Sequence, residues 1–271
     1  LKPVSKAALR INRADRAAEL TRHGIRTAMS GRRGPVFIEM PRDLLSHQVE
    51  VEPRAPDQYR PVSAAGPNAE VVARAMALLS AAKKPLGIAG SGVKWSQGSK
   101  ELIALVEALD VPLVTSNANR DLVPNDHPLF FGQLGPRGSA VARELAQEAD
   151  VIFALGTRLG FTTGFFNFNY INAAAKLIHS DIEAAEIGRI YPVAVSIVGD
   201  ARLVADACLA EVRRAKAREV LKGWSDWTRE RRRIWQDARN AAIREPAVPV
   251  RPSRFFAELR QAVPRNVHVV T

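Results

Sequence analysis

The 271-residue sequence predicts an α/β fold built on a doubly wound parallel sheet, flanked by shorter α/β pieces. Three observations carry this. Segments such as Val151-Ile152-Phe153-Ala154-Leu155 are apolar throughout, as strands covered on both faces must be. Segments with helical spacing separate them. Small, polar or charged residues follow each strand pattern, where the ligand crevice of such a sheet lies.

The elements follow in order. Residues 1–12 show no clear period. Apolar residues at helical spacing (Ala17, Ala18, Leu20, Ile25, Ala28, Met29) predict a helix over 14–29, with Asn12 as N-cap and Asp15 in the first turn. Ser30-Gly31-Arg32-Arg33-Gly34-Pro35 ends it, and 36–40 reads as a strand. This pair is too small to bury itself and must dock on something larger. Pro53, Pro56 and Pro61 mark 46–66 as a semi-extended linker.

From residue 67 to 212 helix and strand alternate. Asn68 caps a helix reaching 82, and strands fall at 86–89, 111–115, 151–155, 176–180 and 193–198. Helices fall at 99–109, 139–148, 184–188 and 201–212, while 116–138 and 156–170 read as loops. A basic helical stretch covers 213–250. Ser253 then caps a helix through 263, and 267–271 reads as a strand. Leu1 in place of Met, and a strand pattern at the last residue, predict a piece of a longer chain.

Composition narrows the function classes. The 46% hydrophobic content suits a globular protein with a real core, and the longest apolar runs are too short to span a bilayer. No signal-peptide pattern is present. The single Cys208 excludes an internal disulfide framework and fits a reducing, cytoplasmic setting. The net charge of +11 raises nucleic-acid binding, but residues 213–254 hold 13 Lys/Arg against 5 Asp/Glu, so the excess is local. Interleaved Trp224, Trp227, Ile234 and Trp235 make a solvated helix with an apolar seam the commoner explanation. No DNA- or RNA-binding motif is present.

The stretch 84–96 runs a strand into Gly90-Ser91-Gly92 and then a helix, which reads either as a phosphate loop or as a plain strand-to-helix turn. The other post-strand candidates are Ser116, Asn117, Arg158, Asp181, Ile182 and Asp200. Arg158 suits a diphosphate and Asp181 suits ribose hydroxyls. Each also has an ordinary role: Arg158 as a surface ion-pair partner, Asp181 and Asp200 as helix caps. The dinucleotide fingerprint G-x-G-x-x-G fails at Trp95, and the second strand ends Thr115-Ser116 where an acid is wanted, which argues against an NAD dehydrogenase. His179 reads as packed, His127 as a loop residue whose partner the sequence does not identify, and Cys208 as a small core residue. No residue is assigned to catalysis or to a metal.

A resemblance adds to this reading. The close of the first piece, Gly31-Arg32-Arg33-Gly34-Pro35-Val36-Phe37-Ile38-Glu39-Met40-Pro41-Arg42-Asp43, resembles the end of the pyrimidine-binding domain in thiamine-diphosphate-dependent enzymes of the acetolactate synthase group. Further landmarks follow in that family's order: Pro124-Asn125-Asp126-His127-Pro128, Gly132-Gln133-Leu134-Gly135, Leu155-Gly156-Thr157-Arg158, Ile178-His179-Ser180-Asp181-Ile182, Glu186-Ile187-Gly188 and Val198-Gly199-Asp200-Ala201. The resemblance implies the end of a pyrimidine-binding domain (1–45), a linker (46–66) and a central domain (67–212) with a six-stranded parallel sheet. A basic helical linker (213–250) and the start of a diphosphate-binding domain (251–271) complete the implied division.

It also implies thiamine diphosphate and Mg²⁺ held outside these residues, by an upstream glutamate and a downstream Gly-Asp-Gly. A homodimer or homotetramer acting on a 2-oxo acid or related carbonyl is implied as well, through decarboxylation or carboligation. The family's central domain holds FAD or ADP in some members, at positions matching Gly90, Ser91, Gly92, Ser116, Asn117, Arg158, Asp181, Ile182 and Asp200, and is empty in others. This chain has Gly135-Pro136-Arg137-Gly138 in place of Gly-x-His-Gly, and Leu159-Gly160-Phe161-Thr162 in place of Phe-Asp-Asp-Arg. Both departures point away from tight FAD binding and leave ADP or an empty site open. The alternative from another class is a non-catalytic adenine-nucleotide-binding module with a basic tail for an acidic partner.

Overall fold

The computed structural model describes residues 1–61, 63–215, 222–264 and 266–267. The chain opens with β1 (Ala7–Arg10), α1 (Ala17–Met29) and β2 (Val36–Glu39). β1 and β2 pair in parallel, Ala7 opposite Val36 and Arg10 opposite Glu39. β1 lies in the stretch without a clear period; its partner lies far along the chain, so no local period marks it. The cap expected at Asn12 is not made. Residues 14–16 form a 3₁₀ turn, and Asp15 accepts from Arg13 Nε at 3.1 Å instead. The proline-rich segment that follows contains one turn of helix, α2 (Pro56–Tyr59).

The main body continues with α3 (Ala69–Ser80), β3 (Pro85–Ala89), α4 (Ser91–Trp95), α5 (Ser99–Leu109) and β4 (Leu113–Thr115). Asn68 caps α3 as its sequence position predicts, its Oδ1 accepting from the N–H groups of Glu70 and Val71. Next come β5 (Phe130–Gln133), α6 (Ala140–Glu148), β6 (Val151–Leu155), α7 (Phe161–Gly164), β7 (Lys176–Asp181), β8 (Val195–Val198) and α8 (Ala201–Arg214). α9 (Lys222–Arg244) and α10 (Pro252–Ala262) follow. Arg251 precedes Pro252 at the first position of α10, so the cap expected at Ser253 is not used. Of the strand expected at 267–271, all but Val267 lies outside the described residues.

Six strands order as β5-β4-β3-β6-β7-β8, all parallel. Pattern alone yields five; the sixth, β5, lies inside the expected loop 116–138 and forms one edge. The chain winds outward from β3 to β5, then returns to β6 and winds the other way. The boundary between β3 and β6 is therefore the point where such sheets leave a crevice.

Alternate strand residues bury on opposite faces. Leu86, Ile88, Ile152 and Ala154 join Leu145 of α6 and Trp224 of α9. Val151, Phe153 and Leu155 join Met76, Leu105 and Cys208 from α3, α5 and α8. On α9, Trp224 donates from Nε1 to the carbonyl of Pro85 at 3.0 Å and stacks on Trp227 at 5.0 Å. Ile234, expected in that seam, is 46% exposed. The basic residues of α9 are largely engaged: Arg232 Nη1 donates to the carbonyls of His127 and Pro128, Arg231 faces Glu144, and Arg233 pairs with Glu230. Among the described residues no helix is long and apolar enough to cross a membrane.

Candidate functional site

The nine sequence candidates all lie along the carboxyl edge of the sheet: Gly90, Ser116, Asn117, Arg158, Ile182 and Asp200 follow strands, Ser91 and Gly92 open α4, and Asp181 ends β7. At the centre, the turns after β3 and β6 press against each other. Gly156 has φ of +59°, and a Cβ there would stand 2.8 Å from Gly92 Cα. A Cβ on Gly92 would stand 2.7 Å from Gly156 Cα, and one on Gly90 would collide with Thr157. The glycines are needed because backbone meets backbone.

The hydrogen bonds agree. Gly90 N–H donates to Leu155 O at 3.0 Å, Gly92 N–H to Gly156 O at 2.8 Å, and Gly156 N–H to Ser180 O at 2.8 Å. The ladder thus runs past the strand ends, and the N–H groups a phosphate would use at Gly90 and Gly92 are occupied. Ser91 is exposed on the single-turn α4, and Trp95 is 66% exposed. Of the two readings of this stretch, the plain turn accounts for the glycines.

Beside it, the end of β4 is stitched to β5. Asn119 Nδ2 donates to Ser116 Oγ at 3.0 Å and to Asn117 O at 2.8 Å, while Gln133 Nε2 donates to Asn117 Oδ1 at 2.8 Å. At β8, Asp200 Oδ1 caps α8 by accepting from the N–H groups of Arg202 and Leu203. At β7, Asp181 Oδ1 accepts from Glu183 N–H at 2.9 Å, and Ile182 is half-buried. Burial pushes the Asp181 carboxyl above its ordinary pKa.

Arg158 is half-exposed, with Nη1 4.0 Å from Glu186 Oε1. Glu186 is the organiser that sequence reasoning missed. It is 8% exposed and takes Arg32 Nη1 on Oε1 at 2.8 Å, with Arg189 Nε 3.2 Å from Oε2. Glu186-Ile187-Gly188 was legible as a landmark, but nothing local says that Arg32, 154 residues earlier, turns back onto it. His179 is buried as expected; one ring nitrogen meets Thr157 O at 2.7 Å and the other accepts from Gly188 N–H at 3.4 Å. Burial holds its pKa below the usual histidine value. The partner of His127 is Glu107, at 3.2 Å.

The chemistry available here is limited. Ser91 and Arg158 are exposed and Asp181 is buried, each at the carboxyl end of a different strand. Among the described residues no three His, Cys, Asp or Glu side chains gather as a metal site. The described residues therefore do not fit Mg²⁺.

Comparison with known proteins places this geometry. The model of the thiamine pyrophosphate enzyme central domain matches residues 72–208. Sulfoacetaldehyde acetyltransferase of Rhodobacter capsulatus is 35% identical over 226 residues, 79% of this chain and 38% of that protein. The acetolactate synthase large subunit of Corynebacterium glutamicum is 34% identical over 83% of this chain and 36% of its own length. The crystal structure of benzoylformate decarboxylase from Polynucleobacter necessarius superposes with a TM-score of 0.68 at 26% identity, covering 80% of this chain and 40% of that one. The chain thus spans about two-fifths of the length of these relatives. With the six-stranded parallel sheet and this match across its centre, the chain belongs to the thiamine pyrophosphate enzyme family, and residues 72–208 carry its central domain.

Proposed function

We propose that the chain is part of a thiamine-diphosphate- and Mg²⁺-dependent decarboxylase or carboligase acting on a 2-oxo acid or related carbonyl as a homodimer or homotetramer. In this reading residues 1–45 close the pyrimidine-binding domain, 46–66 link, and 67–212 form the central domain. Residues 213–250 connect onward and 251–271 open the diphosphate-binding domain. Support comes from the family match and from the relatives, whose names include an acetyltransferase, acetolactate synthases and a decarboxylase. No step of the chemistry is assigned to residues of this chain, because the described side chains make no metal site.

The central domain acts as a scaffold whose rim takes an adenine nucleotide weakly. The observation that carries this is the closed contact of Gly90 and Gly92 with Gly156, which leaves no backbone cradle for a diphosphate. A partner-binding basic tail draws less support, since Arg231, Arg232 and Arg233 are engaged within the chain. The test of the enzyme reading is the coding sequence on both sides of these residues. A glutamate motif upstream and Gly-Asp-Gly downstream are expected, with release of CO₂ or acyl transfer from pyruvate, benzoylformate or sulfoacetaldehyde by the protein so encoded. Absence of both motifs would sink it.

A further inference from the structure

A second candidate site lies away from the sheet edge. Helix α1 carries Glu19, Arg22, His23 and Arg26 at the spacing that places them on one face. The proline-containing segment around α2 crosses this face and brings Arg54, Tyr59 and Arg60 opposite it. Between them is a cleft of about 360 Å³. Arg26 holds the two walls together: Nη1 donates to Tyr59 O at 3.1 Å, and Nη2 lies 3.0 Å from His23 Nδ1.

The charge in this cleft is unbalanced. Elsewhere the chain pairs exposed arginines with carboxylates close in sequence, as in Arg13–Asp15, Arg214–Glu211 and Arg233–Glu230. Here, among the described residues, none of Arg22, Arg26, Arg54 and Arg60 makes a close ion pair with a carboxylate, and only Arg22 acts on one, Glu19, through space. The only carboxylate lining the cleft is Glu19, and Arg16 takes both its oxygens, at 2.9 and 2.8 Å. Arg60 Nε is shielded from solvent and has no hydrogen-bond partner. Four arginines line the cleft, and two of them, Arg22 and Arg26, sit at the i,i+4 spacing where like charges repel.

We propose that this cleft binds a small molecule carrying a diphosphate group, with Arg22, Arg26, Arg54 and Arg60 as its cationic wall. Guanidinium matches phosphate oxygens in pairs, and several negative charges are needed to balance four cations. The cleft volume is within the range of small-molecule sites, about 300–1,000 Å³, and many times the ~30 Å³ share of one water. There is room for a diphosphate and a body attached to it, along the half-buried Tyr59. The lining residues fall within 19–61, so this site shares none with the sheet edge.

The test is calorimetric titration of the intact protein with inorganic diphosphate at low salt, repeated on an Arg22→Gln/Arg54→Gln double variant and on Arg158→Gln. Neither Arg22 nor Arg54 makes an ion pair among the described residues, so the double variant is expected to melt with the wild type. Saturable one-to-one binding is expected, weakened about tenfold or more in the double variant and unchanged in Arg158→Gln. Added salt should weaken it further. An ADP arm separates the sources: tighter binding than diphosphate with the same sensitivity to the double variant marks a nucleoside diphosphate, equal binding the free anion. Equal diphosphate affinity in wild type and double variant, or no saturation by about 10 mM, would overturn the assignment.

Discussion

Replacing Gly156 with alanine tests whether the sheet edge is closed by its own backbone. The residue sits at φ +59°, and a Cβ would meet Gly92 Cα at 2.8 Å and Val93 N at 2.9 Å. Left-handed backbone costs a residue with a Cβ about 1–2 kcal/mol. The two contacts are to main chain, so no side chain can swing aside, and overpacking of this kind costs about 1–3 kcal/mol. The sum, roughly 2–5 kcal/mol, is a large share of the stability of a domain this size. At about 2–4 °C per kcal/mol it lowers the melting temperature by roughly 4–20 °C. Circular dichroism melts measure this directly. Gly160→Ala is the control, because its φ is −76° and a Cβ there meets nothing within 4 Å. Its melt should match the wild type. A Gly156→Ala melt within about 2 °C of the wild type would refute the interlock. So would an unchanged melt accompanied by loss of nucleotide affinity, the signature of a glycine kept for a ligand.

Other outcomes follow from single side chains. Trp224→Phe leaves the Pro85 carbonyl without its donor and should cost about 1–2 kcal/mol in a denaturant titration. Trp224→Ala should cost roughly 3–5 kcal/mol. His179 has its folded pKa lowered by burial from 6.5, so the unfolded chain binds the proton more readily. Its contribution is present above about pH 6.5 and is lost as pH falls below that value toward the folded pKa. His179→Gln should therefore flatten the decline of stability with acid in that window, measured by denaturant melts across pH. Cys208 is buried among α8 core residues, and burial pushes its thiol up to about 12. It should resist Ellman's reagent in the native protein at about pH 8 and react once unfolded.

Much of the fold was legible because its signals are local. Apolar runs such as 151–155 name buried strands without help, and Asn68 and Asp200 cap helices from the positions their sequence suggests. β5 was not legible, because Pro128 stands two residues before it and Gly132 lies inside it, so its four residues read as loop. Its pairing with β4 is irregular between Leu113 and Thr115, and only the sheet makes it a strand. β1 failed for a related reason: it exists through pairing with β2. At the site, the need for glycine at 90 and 92 was plain from sequence. Which surface approaches them was not, since Gly156 lies more than sixty residues away and is brought back only by the crossover to β6. The roles of Asp181 and Asp200 as acceptors of nearby N–H groups followed from Asp chemistry alone. The gathering of Arg32, Arg158 and Arg189 on Glu186 depends on tertiary packing and left no local trace.

Titration of the protein with FAD and ADP bears most directly on the claim that the central domain is a scaffold with a weak nucleotide rim. ADP is expected to bind with a Kd of about 100 μM or weaker, and FAD to leave a colourless protein after desalting. Arg158→Ala should abolish the portion of ADP binding that belongs to this edge. A stoichiometric yellow complex that survives desalting would contradict the account, because the closed contact of Gly90 and Gly92 with Gly156 leaves no cradle to hold it.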